Sequence, residues 1–256
     1  MANTIEVLDH GFVKLRNLAG PTRRVLDAAP FGSGAEFRSF DADDTDVANA
    51  ARLSFEGQDQ DRDYEVEMKL NRYLLKNQHM TPFESIQVWL EMKMPIFVAR
   101  QFVRHRTQSI DEASARYIQL PAEWYIPKLE DVVLQSKDKK QGGRPVDLTD
   151  DDQVRQANIF RGTLNMVCAS SYEMYEEAIH HGIAMEQARM FLHLNHYTHW
   201  MTSMNLRNLM HFLALRDHPH AQREAQAYAK AVTQLLEPHI PGLMQLYREL
   251  VRGETT

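Results

Sequence analysis

The most regular pattern in the chain is an alternation of apolar and polar positions over residues 86–94. Successive side chains of an extended strand point to opposite faces, so this alternation predicts a half-buried strand. The apolar set is Ile86, Val88, Leu90, Met92 and Met94, and the intervening set is Gln87, Trp89, Glu91 and Lys93. Pro95 then opens "PIFVARQFVRHR", whose apolar spacing predicts a short helix.

Two helical patterns precede this strand. "TDVANAARLSF", from Thr45, predicts a short helix, and "YEVEMKLNRYLLKN" predicts a longer one that stops near Asn77. The inward face predicted for the longer helix is Val66, Leu70, Tyr73 and Leu74. In "MTPFES", Thr81, Pro82 and Glu84 have the spacing of a capping box, which predicts that a helix starts with Thr81 as its cap.

The C-terminal half is mostly helical in pattern. A long amphipathic helix is predicted from about Val154 to Ile179, and "AMEQARMFLHLN" predicts a second helical stretch. The inward face of the long helix is predicted to be Phe160, Leu164, Val167, Ser171, Met174 and Ala178. "THWMTSMNLRNLMHFLALR" predicts a strand leading into a helix, and "DHPHAQREAQAYAKAVTQLLE" predicts a final helix capped by Asp217.

These elements predict an α+β fold, a helix-rich single domain around a small antiparallel sheet. Residues 1–44 are a poorly readable N-terminal segment in which "IEVLDHGFVKLRNLAG" suggests one short strand. The domain is predicted to cover residues 45–250, with an exposed insertion loop at about 135–152, where the apolar rhythm is lost.

Composition limits the classes of function. The chain has 256 residues, 43% of them hydrophobic, and 29 basic against 35 acidic residues give a formal net charge of -6. We therefore predict no affinity for nucleic acid or for an anionic membrane, because both need a basic surface. Three features predict a cytoplasmic protein. Cys168 is the single cysteine, the sequence shows no signal-peptide pattern, and no apolar run approaches the roughly 20 residues that span a bilayer.

Against this acidic background, "RHRTQSIDEASARY" (residues 104–117) concentrates charge. If Arg104, Arg106 and Arg116 share a space, they need an acceptor-rich anion, and the guanidinium fork matches phosphate oxygens. An ordinary solvated surface is the competing interpretation, since Glu112 and Arg116 have the spacing of an exposed helix pair. The residues alone leave both interpretations open.

Two other functions fit parts of the sequence. His193, His196 and His199 are three residues apart, and two of them on one helix face could share the metal of a hydrolase. No acidic third ligand lies nearby in sequence, so we predict no metal site. A non-catalytic nucleotide-binding module would also use the basic cluster, although the chain lacks the basic–aromatic stripes typical of RNA binding.

The stretch resembles the signature of flavin-dependent thymidylate synthases: Arg-His-Arg, two residues, Ser, four residues, Ser, one residue, Arg. All six positions match, at Arg104, His105, Arg106, Ser109, Ser114 and Arg116. "HMTPFES", "PIFVARQFVRHR", "ARMFLHLNHYTHW", "NLRNLMHFLALR" and "HAQREAQAYA" are similar to further blocks of that family, so the resemblance runs from about residue 45 to 236.

This resemblance implies reductive methylation of deoxyuridylate (dUMP) to thymidylate (dTMP), with 5,10-methylenetetrahydrofolate and NADPH as co-substrates and FAD as the redox carrier. It also implies the thymidylate synthase-complementing fold and a homotetramer with shared sites. The residues implied for cofactor binding are His79, Thr81, Arg104, His105, Arg106, Glu112, Asn205, Leu206, Arg207 and His211. Those implied for dUMP are Gln101, Phe102, Val103, Arg104, Glu112, Ala113, Ser114, Ala115, Arg116, Arg189 and Arg216.

Within these sets, Ser114 and Arg116 are implied at the nucleotide phosphate, and Arg216 is the implied catalytic residue. A fixed guanidinium beside the uracil ring would favour its ionised form. Cys168 is predicted to be a packing residue, which agrees with a route that needs no thiol nucleophile. Asp111 and His211 depart from the family, where asparagine is common at both positions.

Overall fold

The computed structural model describes residues 3–21, 41–55, 62–136 and 143–253. Its strands are β1 (Thr4–Val7), β2 (Gly11–Ala19), β3 (Gln87–Pro95), β4 (Ser109–Glu112), β5 (Val133–Gln135), β6 (Gly143–Pro145) and β7 (Tyr197–Asn205). Five strands form one antiparallel sheet in the order β1-β2-β3-β7-β4, and β5 and β6 form a separate hairpin.

The helices surround this sheet. They are α1 (Asp46–Arg52), α2 (Tyr64–Lys76), α3 (Ile96–Phe102), α4 (Asp151–His180), α5 (Met185–Ala188), α6 (Leu206–Arg216), α7 (Arg223–Leu236) and α8 (Pro241–Leu246). The main core joins the inward face of the sheet to α6, α7 and α8. The predicted helix-rich α+β fold around a small antiparallel sheet is confirmed. Within the described ranges, no helix is both long enough and apolar enough to cross a bilayer.

β3 forms as its alternation predicted. Ile86, Val88, Leu90, Met92 and Met94 are buried, and the residues between them are only partly covered. β3 lies between β2 and β7, so its backbone forms hydrogen bonds with a neighbouring strand on each side. Leu90 lies opposite Thr202 of β7. Pro95 ends the strand and precedes α3, and β7 likewise runs directly into α6. Two strand-to-helix junctions of the central sheet therefore lead into α3 and α6, which carry Gln101 and Arg216 of the implied site.

The capping box predicted at Thr81 is wrong. Thr81–Ser85 is a short 3₁₀ helix preceded by Met80, without a capping side chain. Ser85 instead donates to the Pro82 carbonyl, and Glu84 pairs with Arg207. The contact with Arg207 takes the carboxylate away from the backbone N–H groups that a capping box would satisfy.

Asp217 does not cap the last long helix. It is the C-terminal flanking residue of α6, and Gln222 precedes α7. Nor is α7 the last element, because α8 follows and a π turn spans Tyr247–Val251. Pro241 is the first residue of α8, a position where a helix does not need its missing N–H group.

The inward face predicted for α2 is partly wrong. Val66 and Tyr73 are exposed, and the buried positions are Glu67, Asn71, Leu74 and Leu75. The helix is rotated because its buried polar residues have partners: Arg52 pairs with Glu67, and Asn71 Nδ2 donates 2.6 Å to the Asp44 carbonyl. Buried polar residues that have such partners are indistinguishable from exposed ones in a hydrophobicity pattern.

α4 also turns a different face inward. It begins at Asp151, where Asp150 Oδ1 accepts from the N–H groups of Asp152 and Gln153, rather than near Val154. Its buried residues are Ala157, Cys168, Tyr172 and Tyr175. The predicted inward residues Phe160, Val167 and Met174 are 50%, 44% and 47% exposed. α4 thus has two apolar faces, one of which is not covered by any of the described residues.

The two segments without a clear pattern contain strands. Residues 3–21 form β1 and β2, although one short strand was expected. The described part of the expected insertion loop contains β6, which pairs with β5, and the start of α4. Val132 and Val146, which flank these two strands, pack against Ala157 of α4. The Gly/Pro/Asp-rich part of residues 22–40 and residues 137–142 lie outside the described ranges.

Candidate active site

The first half of the charged stretch is a turn tied to two elements. α3 ends at Phe102, whose carbonyl accepts from His105 N at 3.0 Å and from Gln108 Nε2 at 2.8 Å. The Gln108 amide oxygen in turn accepts from the buried Thr202 hydroxyl of β7 at 2.9 Å. Residues 103–108 are therefore fixed between the end of α3 and the sheet.

The second half starts as an edge strand. β4 pairs with β7, and Ala113 N donates 2.9 Å to the His199 carbonyl. Thr198 Oγ1 donates to Glu112, so a β7 threonine also holds the carboxylate of this half. Glu112 and Arg116 therefore do not form the exposed helix pair that was one interpretation of their spacing. Asp111 lies in β4 and is exposed.

Arg216, at the end of α6, reaches the turn from the other side. Its Nε donates 2.9 Å to His105 Nε2, and its Nη2 donates 3.0 Å to the Gln101 carbonyl. Gln101 is further linked to Gln222 by a hydrogen bond between their side-chain amides. Burial lowers the pKa of Arg216 from its ordinary value, but a guanidinium stays protonated at neutral pH. The structure thus brings together Gln101, His105 and Arg216 of the implied site.

The surroundings of His105 keep its imidazole neutral. Burial, the Arg216 charge and His211 lower its pKa to about 4. The ring lies edge-on to Phe212 at a centroid distance of 4.9 Å and to His211 at 6.2 Å. Because Arg216 can only donate, the Nε2 atom of His105 is the acceptor and the ring proton is on Nδ1.

Arg104 and Arg106 flank this ring and are exposed. Within the described parts of the chain, neither guanidinium has a hydrogen-bond or ion-pair partner. Val103, also exposed, precedes them, whereas Phe102 is fully buried in the core and contacts Phe212 at 4.8 Å between ring centroids. Two unpaired cations on a fixed turn can hold an anion such as a phosphate.

The remaining cofactor-side residues surround the start of α6. Asn205 caps α6 by accepting from Asn208 N at 2.9 Å, and Arg207 pairs with Glu84 of the 3₁₀ helix that Thr81 begins. Leu206 is fully buried and its N–H donates 2.9 Å to the Ile86 carbonyl. His79 is exposed, with its ring edge-on to Tyr73 at 5.9 Å.

The substrate-side residues form a second group. Ser114 Oγ accepts from Arg116 N at 3.4 Å, and Arg116 Nε lies 3.4 Å from Glu186 Oε2, with both side chains about half exposed. Arg189 Nε donates 3.3 Å to the Glu186 carbonyl. Ala113 is half-buried and Ala115 buried. Among the described residues, no hydrogen bond or ion pair joins this group to that of Arg216.

Sequence reasoning missed four residues that hold the site. Gln108, Thr198 and Thr202 fix the two halves of the charged stretch, and Glu186 pairs with Arg116. Thr198 and Thr202 could have been recognised from the sequence. In β7 they share the inward face with Trp200 and Met204, and a polar residue in such a series usually has a hydrogen-bond partner. Nothing in the sequence singles out Gln108 or Glu186.

The three histidines considered as metal ligands have different surroundings. His199 Nε2 is 2.9 Å from Glu91 Oε1, while the His196 ring stacks on Tyr172 at 6.0 Å. His193 is exposed. No group of three or more His, Cys, Asp or Glu side chains within residues 3–21, 41–55, 62–136 and 143–253 is placed to hold a metal. Cys168 is buried beside Asn195, as its packing role predicted.

The sequence of this chain matches a family model and is similar to known proteins. The model of the family described as thymidylate synthase complementing protein matches residues 38–242. A flavin-dependent thymidylate synthase of Gluconobacter oxydans (strain 621H) is 37% identical over 254 residues, which are 98% of this chain and 74% of that protein. One from Ehrlichia ruminantium (strain Gardel) is 36% identical over 236 residues, covering 92% and 70% respectively.

A solved structure is similar over nearly the whole chain. The crystal structure of the UMP/dUMP methylase PolB from Streptomyces cacaoi, bound with 5-Br dUMP, aligns with a TM-score of 0.77 and 27% identity. The alignment covers 97% of this chain and 99% of that one. PolB bound with 5-Br UMP aligns with a TM-score of 0.75.

Proposed function

This chain belongs to the thymidylate synthase complementing protein family, and from that membership we infer that it is a flavin-dependent thymidylate synthase, a methyltransferase. We propose that it converts dUMP to dTMP by reductive methylation, with 5,10-methylenetetrahydrofolate as carbon donor, NADPH as reductant and FAD as the bound cofactor. The relatives from G. oxydans and E. ruminantium and the methylase PolB support this reaction.

The placement of Arg216 is the structural observation that carries the proposal. Its guanidinium is half-buried and fixed by two hydrogen bonds, to His105 and to the Gln101 carbonyl. A cation fixed in this way stabilises negative charge that develops on a uracil ring, and it does so without giving up its own proton. Arg216 thereby favours loss of the ring proton and makes the ring carbon a better nucleophile.

The residues beside Arg216 fit a flavin dinucleotide. Its pyrophosphate needs cationic or N–H donors, and Arg104 and Arg106 supply two exposed guanidinium groups without protein partners in the described ranges. Thr81, Asn205, Arg207 and His211 add polar groups around the start of α6, and Leu206 adds backbone. When bound, FAD carries electrons from the reductant to the transferred carbon. The chain's own residues bind and orient it.

The second group of residues suits the nucleotide. Arg116 and Arg189 are arginines that meet at Glu186, and Ser114 adds a hydroxyl, a set that matches a phosphate monoester. Thr198 orients Glu112, and we expect its carboxylate to accept from a sugar hydroxyl or a ring N–H. His79 is exposed near the cofactor-side residues, where the folate or nicotinamide ring would stack.

Self-association as a homotetramer completes the proposal. The uncovered apolar face of α4, with Phe160, Val167 and Met174, needs a partner surface, and exposed patches of this kind typically mark interfaces. Because no described contact joins the Arg116 group to the Arg216 group, we propose that each site combines the two groups from different chains. The partners proposed are thus dUMP and copies of this chain, in the cytoplasm, without nucleic acid or membrane.

The visible spectrum of the purified protein tests the function. We expect a yellow protein whose flavin absorbance is bleached by NADPH under anaerobic conditions, and which forms dTMP when dUMP and methylenetetrahydrofolate are added. Tight dUMP binding without flavin or NADPH oxidation would favour the non-catalytic nucleotide-binding module. Stoichiometric zinc or iron without flavin, in protein purified without a histidine tag, would favour a metallohydrolase.

Mixing inactive chains tests whether sites are shared. At a dUMP concentration well below the dissociation constant of the Arg116→Ala variant, Arg116→Ala and Arg216→Ala chains are each expected to lose most turnover. Dissociation and reassociation of the mixture should restore part of it, because some sites then combine an intact Arg116 group with an intact Arg216 group. If the mixture is no more active than its components, the two groups belong to the same chain.

A further inference from the structure

The orientation of Arg216 depends on one side chain of the signature. Of the five N–H donors of its guanidinium, the structure uses Nε–H on His105 Nε2 and one Nη2–H on the Gln101 carbonyl. Among the described residues Nη1 has no protein acceptor. The backbone carbonyl is present whatever residue occupies position 101, so within the described ranges His105 is the only side chain that accepts a hydrogen bond from this guanidinium.

We propose that His105 is a positioning residue for Arg216, acting as a neutral Nδ1–H tautomer whose Nε2 lone pair holds the guanidinium with its Nη1 edge toward the nucleotide. The proposal deepens the proposed function and rests on it, since it concerns how Arg216 contributes to turnover. It adds a role for this imidazole that is distinct from contact with the flavin.

The acceptor on His105 is rigid because three elements hold it. Its backbone N–H is bonded to the Phe102 carbonyl of α3, and its ring lies against Phe212 of α6. Gln108, three residues further on, ties the turn to Thr202 of β7. A fixed acceptor restricts a long side chain with several rotatable bonds, and a displacement of about 1 Å at a catalytic group can cost on the order of 100-fold in rate.

The charges around the ring preserve the acceptor. Arg216 and His211 face it from α6, and Arg104 and Arg106 flank it in its own turn. α3 presents only the Phe102 and Gln101 carbonyls to this contact. Burial is the main reason that the pKa of His105 is lowered to about 4, and Arg216 and His211 add to it by opposing a second proton on the ring. Nε2 is therefore available to Arg216 throughout the neutral range.

A double-mutant cycle on the flavin-loaded enzyme tests the proposal. His105→Ala, Arg216→Ala and the double variant are compared with wild type for kcat, for KM of dUMP and for the dissociation constant of FAD. We expect His105→Ala to lower kcat by about 10- to 100-fold in the wild-type background and by less than about threefold when Arg216 is absent. Equal losses in both backgrounds would overturn the proposal.

Conservative replacements separate positioning from other effects. His105→Gln places an amide oxygen near the position of Nε2, whereas His105→Asn is too short to reach it. We expect His105→Gln to recover most of the kcat lost in His105→Ala, and His105→Asn to recover little. If the losses in all three variants instead follow weakened FAD binding, His105 acts only through the cofactor and the proposal is wrong.

A spectroscopic readout does not depend on turnover. In protein labelled with ¹⁵N-histidine, the ring nitrogens of His105, assigned by the loss of their signals in His105→Gln, should show the Nδ1–H tautomer at neutral pH. Arg216→Ala should raise the pKa of His105. An Nε2–H tautomer in wild type would overturn the proposal. Absence of dTMP formation by wild type, with this tautomer present, would instead count against the proposed function.

Discussion

His196 is buried although its Nε2 atom has no partner within the described residues. Burial is the main reason that its pKa is lowered to about 4 from 6.5. As the pH falls below 6.5, the unfolded chain takes up a proton at this residue before the folded chain does. The free energy of unfolding is therefore expected to be unaffected by His196 above pH 6.5 and to decrease progressively as the pH falls toward 4.

Replacing His196 with phenylalanine should flatten this decrease. The aromatic ring preserves the stacking on Tyr172 but cannot take up a proton. Thermal unfolding midpoints between pH 7 and 4.5 check this, with His239→Phe, at an exposed histidine, as the control. Part of the pH dependence should remain in both variants, because both keep His105, whose pKa is lowered in the same window. If stability depends on pH as steeply in His196→Phe as in wild type, the prediction is wrong.

Arg116→Ala should weaken dUMP binding chiefly through the phosphate. A charged hydrogen bond nets about 1.5–3 kcal/mol, so loss of one predicts roughly a 10- to 150-fold increase in the dissociation constant. Binding of deoxyuridine, which lacks the phosphate, should change much less. The matched control is Arg155→Ala, which removes another exposed arginine with a carboxylate partner, on α4. Unchanged affinity for dUMP would remove Arg116 from the phosphate site.

At the scale of single elements, Asp44 joins three helices. Its buried carboxylate accepts from Gly242 N at 2.9 Å and Leu243 N at 2.8 Å at the start of α8, and from the Tyr64 hydroxyl of α2 at 2.8 Å. Asp44 itself lies just before α1. Burial and this carboxylate raise the pKa of Tyr64 to about 12. A residue from the segment that was hard to interpret thus caps the last helix.

Asp44→Ala should destabilise the protein by about 2–4 kcal/mol, because α8 loses its cap and buried N–H groups lose their acceptor. The midpoint of urea unfolding measures the effect. Asp63→Ala is the control, since Asp63 also precedes a helix, α2, but its side chain makes no capping bond there. A loss no greater than that of the control would show that α8 is held by its apolar contacts alone.

For the whole molecule, the uncovered face of α4 predicts the state of assembly. Phe160→Glu combined with Met174→Glu puts two charges on this face without touching the buried positions Cys168, Tyr172 and Tyr175. Burying an unpaired carboxylate in an interface is costly, so we expect light scattering to give a smaller mass for the double variant than for the wild type, which we propose to be a tetramer, and we expect reduced turnover. Gln156→Glu, at another exposed position of α4, should leave the mass unchanged.

An unchanged mass in the double variant would mean that this face is not an interface. In a single chain the face would then be exposed to solvent without a function. A mass change accompanied by full turnover would instead contradict the sharing of sites between chains.

Much of the fold and of the candidate site followed from the sequence by itself. The alternation over residues 86–94 determined β3, since a period of two is produced only by an extended chain with one buried face. The signature at residues 104–116 identified the charged groups, and the acidic composition argued against nucleic acid or an anionic membrane as their partner. These inferences hold because period and residue type are local properties.

Only the tertiary structure decided which of these groups meet. Arg216 and His105 are 111 residues apart in sequence, yet 2.9 Å separates their nitrogens, because β3–α3 and β7–α6 lie side by side in the sheet. The inward faces of α2 and α4 were likewise settled by distant partners: Asp44 and Arg52 draw polar residues of α2 inward, and α4 has two apolar faces. Long-range pairing determines such contacts, and a linear pattern of hydrophobicity does not contain it.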